Sequence, residues 1–296
     1  AVIEMAKANG IHLLEPSLRN PLLTTTFGTG EMIKLALDQG VSKIIIGLGG
    51  SVTNDAGMGM AQALGVRFLD AQGQSVAQGG GQLHHIVQMD LSGLDVRLAQ
   101  IEIVIASDVN NPLCGENGAS QVFGPQKGAS PAMVQQLDQN LAYFANLVQS
   151  QRQLDYAHVD YAHVAGAGAA GGLGFGLMAF AGAKIRSGVQ IIIEETRLTE
   201  KIEQADYVLT GEGGIDFQTK FGKTPYGVAQ VAKRLNKPVI ACAGAIGDGI
   251  EELYIEGFTA IFGIVDGACD LQTALSHGEQ NLARTCENIA RLLSMR

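Results

Sequence analysis

The residues best equipped for chemistry in this 296-residue chain are two carboxylates and a lysine set among glycines near its C-terminal third. They lie in TGEGGIDFQTKFGKTP, residues 210–225, where Glu212 and Asp216 are followed by Gln218, Thr219 and Lys223. Carboxylates can hold a hard divalent cation and orient a hydroxyl, while a lysine offsets the charge of a phosphate. Glu212 is therefore a candidate metal ligand and Asp216 a candidate for orienting a hydroxyl group. Gly211, Gln218, Thr219 and Lys223 are candidate binding residues. FGKTP is not a Walker A loop, because Phe217 stands where its first glycine belongs. The plain alternative makes Glu212 and Asp216 solvated turn residues.

Three further segments combine glycine with polar reach. GLGGSVTNDAG (47–57) follows the apolar run KIII, so Gly49, Gly50, Ser51 and Asn54 could cradle an anion at a strand's carboxyl end. Asp55 is a second candidate for the catalytic carboxylate; alternatively, the segment only caps the next helix. ASDVNNPLCG (106–115) places Asp108 and Asn110 in an extended turn, and FGPQKG (123–128) sets Lys127 in a glycine–proline loop. Lys127 reads equally as a contact to phosphate or carboxylate or as a solvated loop lysine. GAGAAGGLGFG (166–176) matches G-x-G-x-x-G at Gly166, Gly168 and Gly171, with Gly172 adjoining and Glu194 where a ribose-binding acid would fall. That match supports a rival reading as an NAD-dependent oxidoreductase. It requires the loop to open a helix directly after a strand.

Elements that could position these loops alternate along the chain. Strands are expected at 43–47, 101–107, 189–193, 207–210, 238–243 and 260–265, with helices at 31–39 (Thr29 as N-cap, Gly40 past the end), 131–149 and 271–293. This is an α/β pattern of two domains, with a boundary near Leu198: residues 1–198 and residues 199–296. Three strand–turn–helix units after Tyr207 predict part of a parallel sheet, with an open edge near 207–210 or 238–243. The tandem DYAHV-DYAHV (155–164) reads as a linker, its His158 and His163 in polar surroundings.

Composition narrows the partners. A net charge of −9 argues against nucleic acid and anionic membranes. The apolar stretch 164–185 is dominated by glycine and alanine and reads as a loop entering a packed helix, not as a membrane span. Cys114, Cys242, Cys269 and Cys286 are scattered without metal-ligand spacing and read as reduced core thiols. With no basic leader before AVIEMA, a cytoplasmic location is expected. Nothing in the sequence indicates an oligomeric state.

Taken together, AVIEMA, NPLLTTTFGTGEMI, IIIGLGGSVTNDAGMGMAQALG, DVNNPL, GASQVFGPQKGAS, GAGAAGGLGFGLMAF and TGEGGIDFQTKFGKTPYGVA resemble the class I bacterial glycerate kinases along essentially the whole chain. The resemblance implies transfer of the ATP γ-phosphoryl group to D-glycerate, at the 2-hydroxyl, with Mg²⁺. It also implies a flavodoxin-like (Rossmann-like) domain, of which residues 199–296 form the C-terminal part, and into which the domain of residues 1–198 is inserted. Members of that family carry an APDSFK-like strand–turn and a DGGEGT-like loop before the point matched by AVIEMA, and neither occurs here. A non-catalytic fragment that only binds a partner is the corresponding alternative. Where many members read GEGRID, this chain has Gly214.

Overall fold

The computed structural model describes residues 1–151 and 160–295; the first DYAHV copy, with His158, lies outside them. The chain divides into two compact units, Ala1–Arg186 and Ser187–Arg296.

In the first unit four strands, β1 (Val2–Glu4), β2 (Lys43–Gly47), β5 (Glu102–Ala106) and β6 (Lys184–Arg186), form a parallel sheet in the order β1-β2-β5-β6. Two more, β3 (Arg67–Leu69) and β4 (Gln88–Asp90), pair antiparallel. β2 matches the expected 43–47 run, because its β-branched residues suit a sheet whose core face takes Ile44 and Ile46, both fully buried. The expected helix at 31–39 runs from Phe27 to Asp38, so Thr29 lies inside it and Thr26 precedes it. Pro131–Gln151 is a single helix whose Val134, Leu137, Leu141, Phe144 and Val148 face inward at helical spacing. Phe144 meets Phe68 edge-on, with ring centroids 5.4 Å apart, inside the unit's one large core.

The second unit carries β7 (Val208–Ile215), β8 (Val239–Ile246) and β9 (Ala260–Gly263), a parallel sheet in the order β7-β8-β9. Its middle strand is buried on both faces: Val239, Ala241 and Ala243 pack with Val231 and Ala232, while Ile240 and Cys242 pack with Ile289. β7 is an edge strand with Leu209 half exposed, whereas the other expected edge segment, 238–243, forms the sheet's centre.

Three expectations are corrected. Residues 189–193 are not a strand but part of the helix Gly188–Glu195, where Val189 and Ile193 stand one turn apart and pack around Gly227. The long C-terminal helix is broken at His277 into Leu271–Ser276 and Gly278–Leu293. Cys269 is exposed, so only some of the four free thiols are in the core. Among the described residues, no helix is long and apolar enough to cross a membrane.

The helix Ala169–Ala181 begins with three residues of positive φ, Ala170, Gly171 and Gly172. A Cβ on Gly171 would overlap Thr53 O and stand 2.7 Å from Asn54 Cα; one on Gly172 would stand 2.8 Å from Ala56 Cα. Gly40, with φ of +70°, has open space around it. Gly40→Ala should therefore cost only the conformational penalty, about 1–2 kcal/mol. Gly171→Ala should add overpacking for a total of roughly 3 kcal/mol. Urea unfolding of the first unit, followed for both variants, checks the difference; equal losses would refute the packing account.

Candidate functional site

In the second unit, Glu212 lies within the second half of β7, paired with Ala243, and Asp216 follows directly on the strand's last residue, Ile215. Lys223 Nζ stands 3.8 Å from Glu212 Oε1, 3.8 Å from Asp216 Oδ1 and 3.4 Å from Gly214 O. All three side chains are about one-third exposed. Glu212 Oε2 is a buried atom with no hydrogen-bond partner among the described residues. Asp216 also has structural work: its Oδ1 accepts from Gln218 N at 2.8 Å and its N–H donates to Thr219 Oγ1 at 3.2 Å, a capping box on the turn Phe217–Lys220. Thr219 is buried in that cap, whereas Gln218 is exposed. Gly211 is there for packing, since a Cβ would stand 2.7 Å from Cys242 O on the neighbouring strand.

In the first unit, the loops after β2 and β5 and the glycine-rich segment come together. Gly168 N donates to Asn111 O at 3.0 Å, and Ala56 N to Gly171 O at 3.1 Å. Only some of their candidate residues reach the surface: Gly49, Gly50, Asp108 and Asn110 are exposed, while Ser51, Asn54 and Asp55 are buried. Asp55 is fully enclosed. Its Oδ2 accepts from Thr26 N (2.8 Å), Thr26 Oγ1 (2.9 Å) and Gly59 N (3.3 Å), and its Oδ1 from Gly57 N (3.2 Å). Burial raises its pKa, and these bonds pull the other way.

The glycine fingerprint does not have the context a dinucleotide site needs. Turns, not a strand, precede Gly168; Glu194 lies on a helix; and Gly168, Gly171 and Gly172 are buried with neighbouring backbone filling the space beside them. Their glycines serve close packing, which composition alone could not separate from ligand approach. Lys127 is likewise no solvated loop lysine. It is 1% exposed, and its Nζ donates to Ser51 Oγ and Thr53 O, both at 2.7 Å.

Two contributors escaped the sequence reading. Thr26 ties Asp55 to the helix Phe27–Asp38 and also accepts from Met60 N at 3.0 Å; its only signal was the threonine run before FGTGE. Arg186 ends β6 in register with Ala106 and Gly47, which puts a guanidinium-bearing residue in the row at the sheet's carboxyl edge. Its signal was the short KIR run after the glycine-rich helix. Among the described residues, no cluster of three or more potential ligands could hold a metal by protein groups alone.

Burial holds the Lys127 ammonium down to about 7, against a smaller opposing pull from Asp55. An unfolded lysine keeps its proton to about 10.4. Between those values the unfolded chain binds the extra proton, so this group makes the fold more stable as pH rises; below about 7 both states are charged and the dependence disappears. Melting profiles from about pH 7.5 to 9 should therefore show a Lys127 contribution rising by up to about 1.4 kcal/mol per pH unit. Lys127→Met should remove that slope; an unaltered slope in the variant would contradict the assignment.

Comparison with known proteins bears on the whole chain. Residues 1–294 match the family model described as the Glycerate kinase family. A glycerate kinase of Haemophilus influenzae is 50% identical over 299 residues, covering 100% of this chain and 77% of its own length. A glycerate 2-kinase of Escherichia coli K12 is 47% identical over 295 residues, covering 100% of this chain and 76% of its own. A crystal structure from Salmonella typhimurium LT2 superposes with a TM-score of 0.86 at 48% identity, covering 99% of this chain and 75% of that one. Agreement of sequence and fold over nearly every residue makes the chain a member of the glycerate kinase family.

Proposed function

We propose that the chain phosphorylates D-glycerate at its 2-hydroxyl with ATP as donor, using the carboxylate–lysine cluster of Glu212 in β7 with Asp216 and Lys223 after it. The observation carrying this reading is Lys223 between Glu212, in the second half of a parallel strand, and Asp216, just past that strand's carboxyl end, the side of such sheets where ligands gather. Phosphoryl transfer asks the protein for position and charge, with little covalent chemistry. Asp216 orients the glycerate hydroxyl and accepts its proton as the oxygen attacks. Lys223, close to both carboxylates, offsets the charge of the anionic groups brought among them.

The cluster also fits Mg²⁺. Glu212 Oε2, buried and without a partner, is a hard oxygen donor of the kind this ion prefers, and Mg²⁺ commonly takes only one or two carboxylates and completes its shell with phosphate oxygens and water. Glu212, with Asp216 beside it, would hold the ion, whose chemistry there is to neutralise nucleotide phosphate charge. The exposed Gly49 and Gly50 at the end of β2 supply N–H groups to an anion, and Asp108 and Asn110 line the end of the adjacent strand. The sequential parallel order β7-β8-β9 supports assigning the second unit to a flavodoxin-like domain, with the first unit as the domain inserted into it.

Asp216→Asn separates structure from chemistry, because asparagine caps a helical turn as well as aspartate does. The variant should melt close to the parent. Its glycerate turnover should fall on the order of 10²–10⁴-fold while KM for glycerate changes little. Near-normal turnover at saturating substrates would reduce Asp216 to a cap.

A further inference from the structure

The loop after β2 has a feature that its glycine content alone does not explain. Gly49 and Gly50 form an exposed tip, with Gly50 at a φ of +75° and open space beside Gly49. Among the described residues, neither the Gly49 N–H nor the Gly50 N–H donates a hydrogen bond. From Ser51 onward the loop turns inward and is buried. The tip's far side is fixed by Ile11 N donating to Gly50 O at 2.8 Å and by Val52 N donating to Asn9 O at 2.9 Å. On the near side the anchor is the Lys127 ammonium, 2.7 Å from both Ser51 Oγ and Thr53 O.

We infer that Lys127 is a positioning residue for the reaction: from inside the first unit it holds Ser51 and Thr53 so that Gly49 N–H, Gly50 N–H and the Ser51 hydroxyl point together at an anionic group of a substrate. The hydrogen-bond directions support this. A charged lysine can only donate, so Ser51 Oγ must accept from it, and the serine's own hydrogen is turned away from Lys127. Among the described residues, that hydrogen has no acceptor. A neutral amine would let Ser51 donate inward instead and would take one donor from the tip. Burial disfavours the charged form and the Asp55 carboxylate opposes that less strongly, so the outward-turned hydroxyl belongs to the protonated lysine, below about pH 7. A buried ion is an inefficient way to stabilise a fold, since apolar residues of similar volume often do as well or better. What the ammonium adds here is direction: two fixed acceptors, and a hydroxyl turned outward. Successive N–H groups ending in a left-handed residue form the kind of concavity that binds anions.

This inference rests on the glycerate kinase reading, and the anion is either the glycerate carboxylate or a nucleotide phosphate. The test uses the full chain with Ser51→Ala, Lys127→Met and the double variant. Glycerate phosphorylation is assayed with each substrate varied in turn, alongside calorimetric titration with D-glycerate and with ADP. Each single change should weaken one anionic substrate by roughly 10–100-fold, in KM and in the dissociation constant, with kcat within about threefold, the signature of lost uniform binding. The double variant should be no weaker than the worse single, because both act through one path. An effect confined to glycerate assigns the carboxylate, and one confined to ATP and ADP assigns a phosphate. Unchanged affinities in Ser51→Ala, or additive losses in the double variant, would overturn the inference even if Lys127→Met fails to fold. A parent chain that binds neither ligand would overturn the kinase reading and this inference with it, whereas binding unaltered by the changes would overturn this inference alone.

Discussion

A carboxylate sealed from water must be met by donors or it will not stay charged, and in the first unit that requirement falls on Asp55. Four donors from two stretches of chain converge on it, and each fixes a piece of structure. Thr26 gives both its N–H and its hydroxyl, which starts the helix Phe27–Asp38, while Gly57 and Gly59 bring in the first turn of Met58–Ala63. The Thr26 oxygen accepts in turn from Met60 N, which locks the two helices at a distance where Gly30 has no room for a side chain beside Met60 and Ala63. Asn9 extends the tie to the chain's first helix by donating to Thr25 O at 2.6 Å and accepting from Thr29. The loop carrying Gly49 and Gly50 is strung between these anchors, so its shape follows from the buried network behind it.

The second unit handles charge in the opposite way. Glu212, Asp216 and Lys223 stay partly in water, at separations too long for direct hydrogen bonds between the ionised groups. Exposed pairs of this sort add little to stability. Their arrangement, one cation shared by two carboxylates with one oxygen left without a partner, leaves room for a ligand's own charges to complete the set. Firmness is supplied instead by the capping box around Asp216 and by β7's close approach to β8 at Gly211.

Much of this could be read from the sequence where local pattern and tertiary role agree. Lys43–Gly47 was legible because β-branched residues in a buried parallel strand need no further context. Residues 189–193 are as rich in β-branched residues, yet they form a helix in which Val189 and Ile193 close over Gly227, a partner remote in sequence. The candidate residues from Gly211 to Lys223 were visible because carboxylates and a lysine among glycines, running from β7 into the turn after it, stand out as residue types. Lys127 and Asp55 were visible as residue types but not as buried ones: their enclosure depends on contacts with Ser51, Thr53, Thr26 and Gly59, which no periodicity announces. Gly168, Gly171 and Gly172 show the same limit, because glycine that admits a phosphate and glycine that admits another backbone are identical on paper.

The strand order has a consequence for how the chain comes to be made. In the first unit the parallel strands lie side by side in the order in which a ribosome releases them, β1, β2, β5, β6, and in the second unit β7, β8 and β9 do the same. Among these strands, none has to be threaded between two that have already paired. Each emerging strand can join the edge left by its predecessor, with its crossover helix settling as it arrives. A sheet laid down in this sequence keeps its unpaired edge brief and moving during synthesis, which limits the time any one strand is open to a neighbouring nascent chain.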